Sequence, residues 1–220
     1  MTTPPRSPLN RVGIVVLVAV LAAVAGVLTA SQLLRQPSGG APTGLAATYI
    51  PGGKPVGEFN LLDHHGGKFD AARLRGKWTF LFAGYTYCPD VCPTTMANMA
   101  QAYERITAEL PQVPVQVVFL TVDPRRDTPE RLAQYVPFYN PDFVGVTGAD
   151  GDIQSLTRSL GLIYKAHDPL PGQTGYLVDH SSAMLLINPE GQLQALFRPP
   201  LLPQVIEADF RKIVAAHNAP

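Results

Sequence analysis

A chain of 220 residues with 46% hydrophobic content has the composition of one or two globular domains. Lys and Arg balance Asp and Glu at 17 each, which excludes a basic footprint for nucleic acid and a polybasic membrane patch. Only two cysteines occur, too few for a disulfide-stapled secreted scaffold.

Residues 12–34 carry no charge, and residues 12–28 contain only Val, Leu, Ile, Ala and Gly. As a helix rising about 1.5 Å per residue, this run spans roughly 34 Å, enough to cross a bilayer core. Arg6 and Arg11 precede it and Arg35 follows, a bias that favours a cytoplasmic N-terminus and an exported body. Ala23-Val24-Ala25 has the small residues of a signal-peptide cleavage site, but the length of the apolar run favours an uncleaved anchor. No cysteine follows closely, which excludes a lipoprotein anchor. The expected division is residues 1–11 as a cytoplasmic N-terminus, 12–34 as a single transmembrane anchor, 35–49 as a flexible linker, and 50–220 as the extracytoplasmic domain. The linker is rich in Pro, Gly, Ser and Ala and has little to bury.

Within the body, residues 57–70 read as a hairpin turning at Gly66-Gly67. Residues 78–85 form an unbroken apolar and aromatic run, the pattern of a strand buried on both faces. Residues 93–110 read as a helix, with Pro93 in its first turn and Met96, Met99, Tyr103, Ile106 and Leu110 at helical spacing. Residues 115–122 are a second buried strand, and Asp127-Thr128-Pro129-Glu130 starts a helix, with Asp127 as its cap. A short strand at 143–146 and a helix at 153–160 follow. Residues 182–187 and 192–197 pair about Asn188-Pro189-Glu190-Gly191, and a last helix covers 203–216. This order predicts an α/β fold: a thioredoxin-like mixed sheet flanked by helices, with an extra N-terminal β-hairpin.

Cys88-Pro89-Asp90-Val91-Cys92-Pro93 falls where a buried strand gives way to a helix. Helix N-termini present unpaired N–H groups and a positive dipole end, which favour thiolate over thiol. Two thiolates at i and i+4 suit Cu(I) or zinc, and equally a reversible disulfide. An inert structural bridge is the weakest account, because closing a loop of three residues constrains the unfolded chain little. Structural zinc requires two further ligands, and no second cysteine pair or suitably spaced histidine pair supplies them.

The segment Phe82-Ala83-Gly84-Tyr85-Thr86-Tyr87-Cys88-Pro89-Asp90-Val91-Cys92-Pro93 resembles the cysteine segment of the SCO/SenC copper-chaperone family. Four other segments agree in order: Glu58-Phe59-Asn60-Leu61-Leu62-Asp63, Thr121-Val122-Asp123-Pro124-Arg125-Arg126-Asp127-Thr128-Pro129, Gly145-Val146-Thr147-Gly148, and Tyr176-Leu177-Val178-Asp179-His180-Ser181. The resemblance spans residues 56–214. It implies a thioredoxin fold and one copper ion, Cu(I) or Cu(II), held by Cys88, Cys92 and His180. It also implies a part in cytochrome c oxidase assembly, with the CuA centre of subunit II as recipient. The family delivers copper, reduces the recipient's cysteines, or does both, so Cys88 and Cys92 are redox-active in the second case. A copper donor protein or a reductant is then a further partner. The cell membrane is the expected location, with one pass and the domain in the periplasm or elsewhere outside the cytoplasm.

His180 is singled out by this resemblance, and a neutral imidazole is a sound third donor for copper. Asp179 is a candidate to orient its ring, Asp123 to shape the loop beside the site or a docking surface, and Asp90 to touch the metal's surroundings. Tyr85 and Tyr87 are expected to line the site. Met96 and Met99 read as core rather than thioether ligands, and His64-His65 as a surface turn. A copper-independent thiol–disulfide oxidoreductase, a thiol peroxidase and a copper or redox sensor compete with the copper-assembly reading.

Overall fold

The computed structural model describes residues 9–33, 41–168 and 175–219, with side chains described over 13–24 and 26 of the first helix. Residues 78–84 decide the architecture. Trp78–Gly84, all seven residues buried, form the central strand β4 of an eight-stranded sheet, counting strands along the chain. Beside it, Val115–Thr121 (β5) pairs in parallel, and Val144–Thr147 (β6) continues the parallel set. On the other side Met184–Ile187 (β9) runs antiparallel to β4 and carries Gln192–Phe197 (β10) as its hairpin partner. The sheet order is β1-β10-β9-β4-β5-β6-β2-β3.

The long apolar runs go to the sheet centre because both faces there are covered. Phe80, Phe82 and Phe119 are fully buried, and each contributes on the order of 2 kcal/mol of apolar burial. The helices that cover the sheet are Val91–Glu109 (α2), Pro129–Tyr135 (α3), Asp150–Ser159 (α4) and Pro203–His217 (α5). Met96 and Met99 turn inward from α2 and are wholly buried, as their spacing predicts. The mixed sheet with flanking helices is the expected one.

The expected hairpin forms from Asn60–Asp63 (β2) and Lys68–Asp70 (β3), with Gly66 at φ +79 in its turn. Its first turn residue corrects one expectation. His64 is buried rather than on the surface, its Nδ1 accepting the Gly145 N–H at 2.8 Å. Asp127 corrects another. The helix cap is Thr128, whose hydroxyl accepts from the Arg131 N–H, while the Asp127 carboxylate turns into the core.

Three strands were not foreseen. Thr48–Pro55 (β1) pairs with β10 and takes up the last residues of the expected linker. Just before it, the Ala46 and Ala47 N–H groups both donate to the buried Asp209 carboxylate at 2.8 Å. Tyr164–Ala166 (β7) and Val178–His180 (β8) form a separate two-stranded antiparallel ribbon.

The chain divides into two units, Ala41–Asn218 and the segment that holds the first helix. That helix, Leu9–Leu33 (α1), covers most of the charge-free run, and Ile14, Val15, Leu17 and Leu21 are exposed along it. Among the described residues, however, no helix is long and apolar enough to cross a membrane. The expected span over residues 12–34 is therefore met as a helix and not as a demonstrated crossing. Residue 34 of the expected anchor and residues 35–40 of the expected linker lie outside the described residues.

Candidate metal centre

β4 ends at Gly84 and the chain turns through residues 85–90 into α2. Cys88 lies in that turn, half-buried, and Cys92 lies in the first turn of α2, fully buried; both are free thiols. The helix starts at Val91, three residues after Cys88, so the two cysteines do not share a helical turn. Instead the Cys92 N–H, one of the unpaired donors of the helix start, faces Cys88 Sγ at 3.5 Å. Gly84 makes room beneath them. A Cβ at that position would come within 2.9 Å of Cys92 Sγ and of the Phe119 ring.

His180 arrives from the last residue of β8. Its Nε2 lies 3.4 Å from Cys92 Sγ, and one donor atom each from Cys88, Cys92 and His180 fall within 4.8 Å of one another. The Nδ1 atom sits 3.1 Å from the Ser181 carbonyl, which only accepts, so Nδ1 carries the proton and Nε2 keeps its lone pair toward the sulfur. The imidazole stands edge-on to Phe82 and Tyr85, with centroids 5.8 and 5.9 Å away.

Burial governs the protonation of this cluster. It raises the Cys92 thiol far above its usual range, against the helix-terminus effect expected from the sequence. It also holds the His180 imidazole below its ordinary value. Cys92 and His180 are thus both held neutral, with the Cys92 S–H free to donate to His180 Nε2. Two soft sulfurs and one imidazole lone pair converging in a largely apolar pocket fit a thiophilic cation, whose charge offsets the loss of the thiol proton.

The remaining candidates divide. Asp90 is exposed at the start of α2 and its carboxylate caps nothing. Asp179 does not orient His180: it pairs with His167 Nε2 at 2.6 Å on the exposed side of the ribbon. Side chains alternate along a strand, so residues 179 and 180 face opposite ways. Asp123 is buried and bonds Arg126 and the Tyr176 hydroxyl, the latter at 2.6 Å. Tyr85 is buried against His180, as expected, and Tyr87 is exposed at the rim.

The residue that sequence reasoning placed elsewhere is Asp127. It is fully buried and accepts from the Thr86 N–H at 2.9 Å, the Thr86 hydroxyl at 2.7 Å and the Thr121 hydroxyl at 2.7 Å. It ties the cysteine turn to the end of β5. Its desolvation raises the carboxyl pKa, opposed by these three donors. Its place in the loop segment 121–129 is visible in the sequence, but nothing local distinguishes it from a cap.

Residues 48–215 match the SCO1/SenC family. The chain belongs to that family. A Stutzerimonas stutzeri relative named for copper binding is 34% identical over 166 residues, covering 72% of this chain and 80% of its own. The mitochondrial protein SCO2 homolog of Mus musculus is 37% identical over 164 residues, covering 74% of this chain but 64% of that longer protein. The crystal structure of Arabidopsis thaliana ScoI with copper bound superposes at a TM-score of 0.68 and 33% identity, over 72% of this chain and 97% of that one. Copper, the cofactor expected from the sequence, is what that solved relative holds.

Proposed function

We propose that this SCO1/SenC protein binds one copper ion through Cys88, Cys92 and His180 and acts as a membrane-held factor in cytochrome c oxidase assembly. The observation that carries the proposal is the convergence of three donor atoms, from the cysteine turn, α2 and the ribbon, within 4.8 Å. The copper-bound relative supports the choice of metal. The recipient, as the family resemblance implies, is the CuA centre of subunit II, and a donor protein supplies the ion. Buried Cys92 shields the ion's inner side, while half-buried Cys88 and His180 leave an outer side for transfer.

The anchor is part of the same proposal. The charge-free run, the helix α1 over most of it and the flanking Arg6 and Arg11 support a single pass with the N-terminus in the cytoplasm. Residues 50–220 then work outside the cytoplasm, kept close to a membrane-bound recipient at high effective concentration.

Two free thiols within 4.8 Å also favour a second reading. Cys88 and Cys92 give two electrons and two protons to a disulfide of the recipient and become a disulfide themselves. This reading needs both cysteines and no imidazole. Copper stoichiometry and coordination of the reduced, anaerobic chain separate the two. The wild type is expected to hold one copper per chain with two sulfurs and one imidazole, and His180→Ala to lose stable retention while keeping disulfide exchange. Unchanged affinity and stoichiometry in His180→Ala would refute the three-ligand site.

A further inference from the structure

His180 approaches the cysteines from a ribbon that has no strand in the main sheet. β8 is three residues long, and among the described residues its only strand partner is β7, also three residues. Ladder hydrogen bonds therefore do not fix the distance between the imidazole and the sulfurs. A contact from the residues just ahead of β8 does reach across to the sheet. The Tyr176 hydroxyl donates to Asp123 Oδ1 at 2.6 Å, and Arg126 Nε donates to the other oxygen, Asp123 Oδ2.

The Arg126 guanidinium lies between the two sides of the site. Its carbon is 3.7 Å from the Tyr176 ring centroid, 4.9 Å from that of Tyr87 and 5.7 Å from that of Tyr85. Tyr87 directly precedes Cys88, and the Tyr85 ring packs on His180. Arg126 Nη2 is buried with no hydrogen-bond partner, so ring faces rather than acceptors surround that end of the cation. The backbone of the turn on which the Asp123 carboxylate sits has its own closure. That turn closes through the Asp123 carbonyl, which accepts from the Arg126 and Asp127 N–H groups.

We infer that Asp123, Arg126 and Tyr176 form a clasp that sets how closely His180 is held to the cysteine pair. They are positioning residues, since the three ligand atoms do not include them. The inference rests on the three-ligand copper reading for its consequence: with the clasp closed copper is held by three donors, and with it open by the two thiolates alone.

Two measurements on the full-length chain test this. The first uses no metal: amide hydrogen exchange of residues 178–181 in the wild type, Tyr176→Phe, Arg126→Ala and Arg126→Lys. Exchange is expected to quicken in Tyr176→Phe and Arg126→Ala while β4 and α2 keep wild-type protection, and to be partly restored in Arg126→Lys. The second loads copper and reads the imidazole nitrogen signature by electron paramagnetic resonance and X-ray absorption, with affinity by competition. Tyr176→Phe and Arg126→Ala are expected to keep sulfur coordination, lose much of the imidazole signal, and bind copper roughly tenfold more weakly. Wild-type exchange at 178–181 in both variants would overturn the clasp. So would a weakened affinity that tracks a lowered melting temperature with the imidazole signal intact. Wild-type copper without imidazole would instead overturn the three-ligand reading, and the exchange experiment would still decide the clasp.

Discussion

The junction of β4 and α2 and the ribbon of β7 and β8 hold the same site by different means. The junction sits on the central strand of an eight-stranded sheet, and Phe82, Cys92, Met96 and Phe119 around it are fully buried. The ribbon is two short strands whose outer residues, Lys165 and Asp179, are exposed. Two sulfur donors thus come from a frame that global unfolding must break, and the nitrogen donor from an element with little of its own to bury. Local opening follows such differences in buried contact, so the ribbon can open and carry the imidazole away from the sulfurs without cost to the frame.

The contrast can be broken from either side. Truncating the frame should have the largest effect: Phe80→Ala removes a fully buried ring packed on Phe197 and Phe210, at a cost of about 3–5 kcal/mol. The matching change on the ribbon, Lys165→Ala, should stay within about 0.5 kcal/mol in the same denaturant titration. Equal losses would mean that ribbon and frame unfold as one.

Asp127→Ala sharpens the comparison at the seam. It leaves the Thr86 N–H and two buried hydroxyls without their acceptor, costing about 3 kcal/mol. Because Thr86 is two residues from Cys88, copper retention should fall along with stability, while the hydrogen exchange of residues 178–181 stays as in the wild type.

The smallest effect concerns acid. His64, in the frame, is held by burial below its ordinary value of 6.5 and must stay neutral to accept the Gly145 N–H. A depressed folded value means that its contribution to stability is full above pH 6.5 and declines as the pH falls toward the folded value. His64→Asn keeps an acceptor without the titration. Denaturant midpoints above and below that pH should therefore differ less in the variant than in the wild type, and an equal difference would exclude His64 as a source.

The same contrast explains what was legible beforehand. β4, β5 and β9 announce themselves because strands covered on both faces are continuous apolar runs, and α2 because its buried residues recur at helical spacing. β7 and β8 are too short and too exposed to carry any period, so the strand that bears His180 was invisible, and the histidine was found through its Asp-His-Ser segment alone. β1 is an edge strand interrupted by Pro51, Gly52 and Gly53 and paired with a bulge, so it carries no strand period, and its first two residues fell in the expected linker. Asp127 and His64 misled for one shared reason: a polar residue beside a turn looks solvated until the sheet that buries it is known. Cys88 and Cys92 needed no such help, since a lone close pair of thiols is informative wherever the chain places it.

At Gly84, the last residue of β4, an added Cβ would lie 2.9 Å from Cys92 Sγ. A methyl group there would compete with the sulfur for one volume, and the Phe119 ring closes off the other direction of retreat. The depth at which the Cys92 sulfur sits under the three-donor cluster is therefore written in an absent carbon, and the reach of that cluster could be re-engineered from the strand side without altering Cys88, Cys92 or His180.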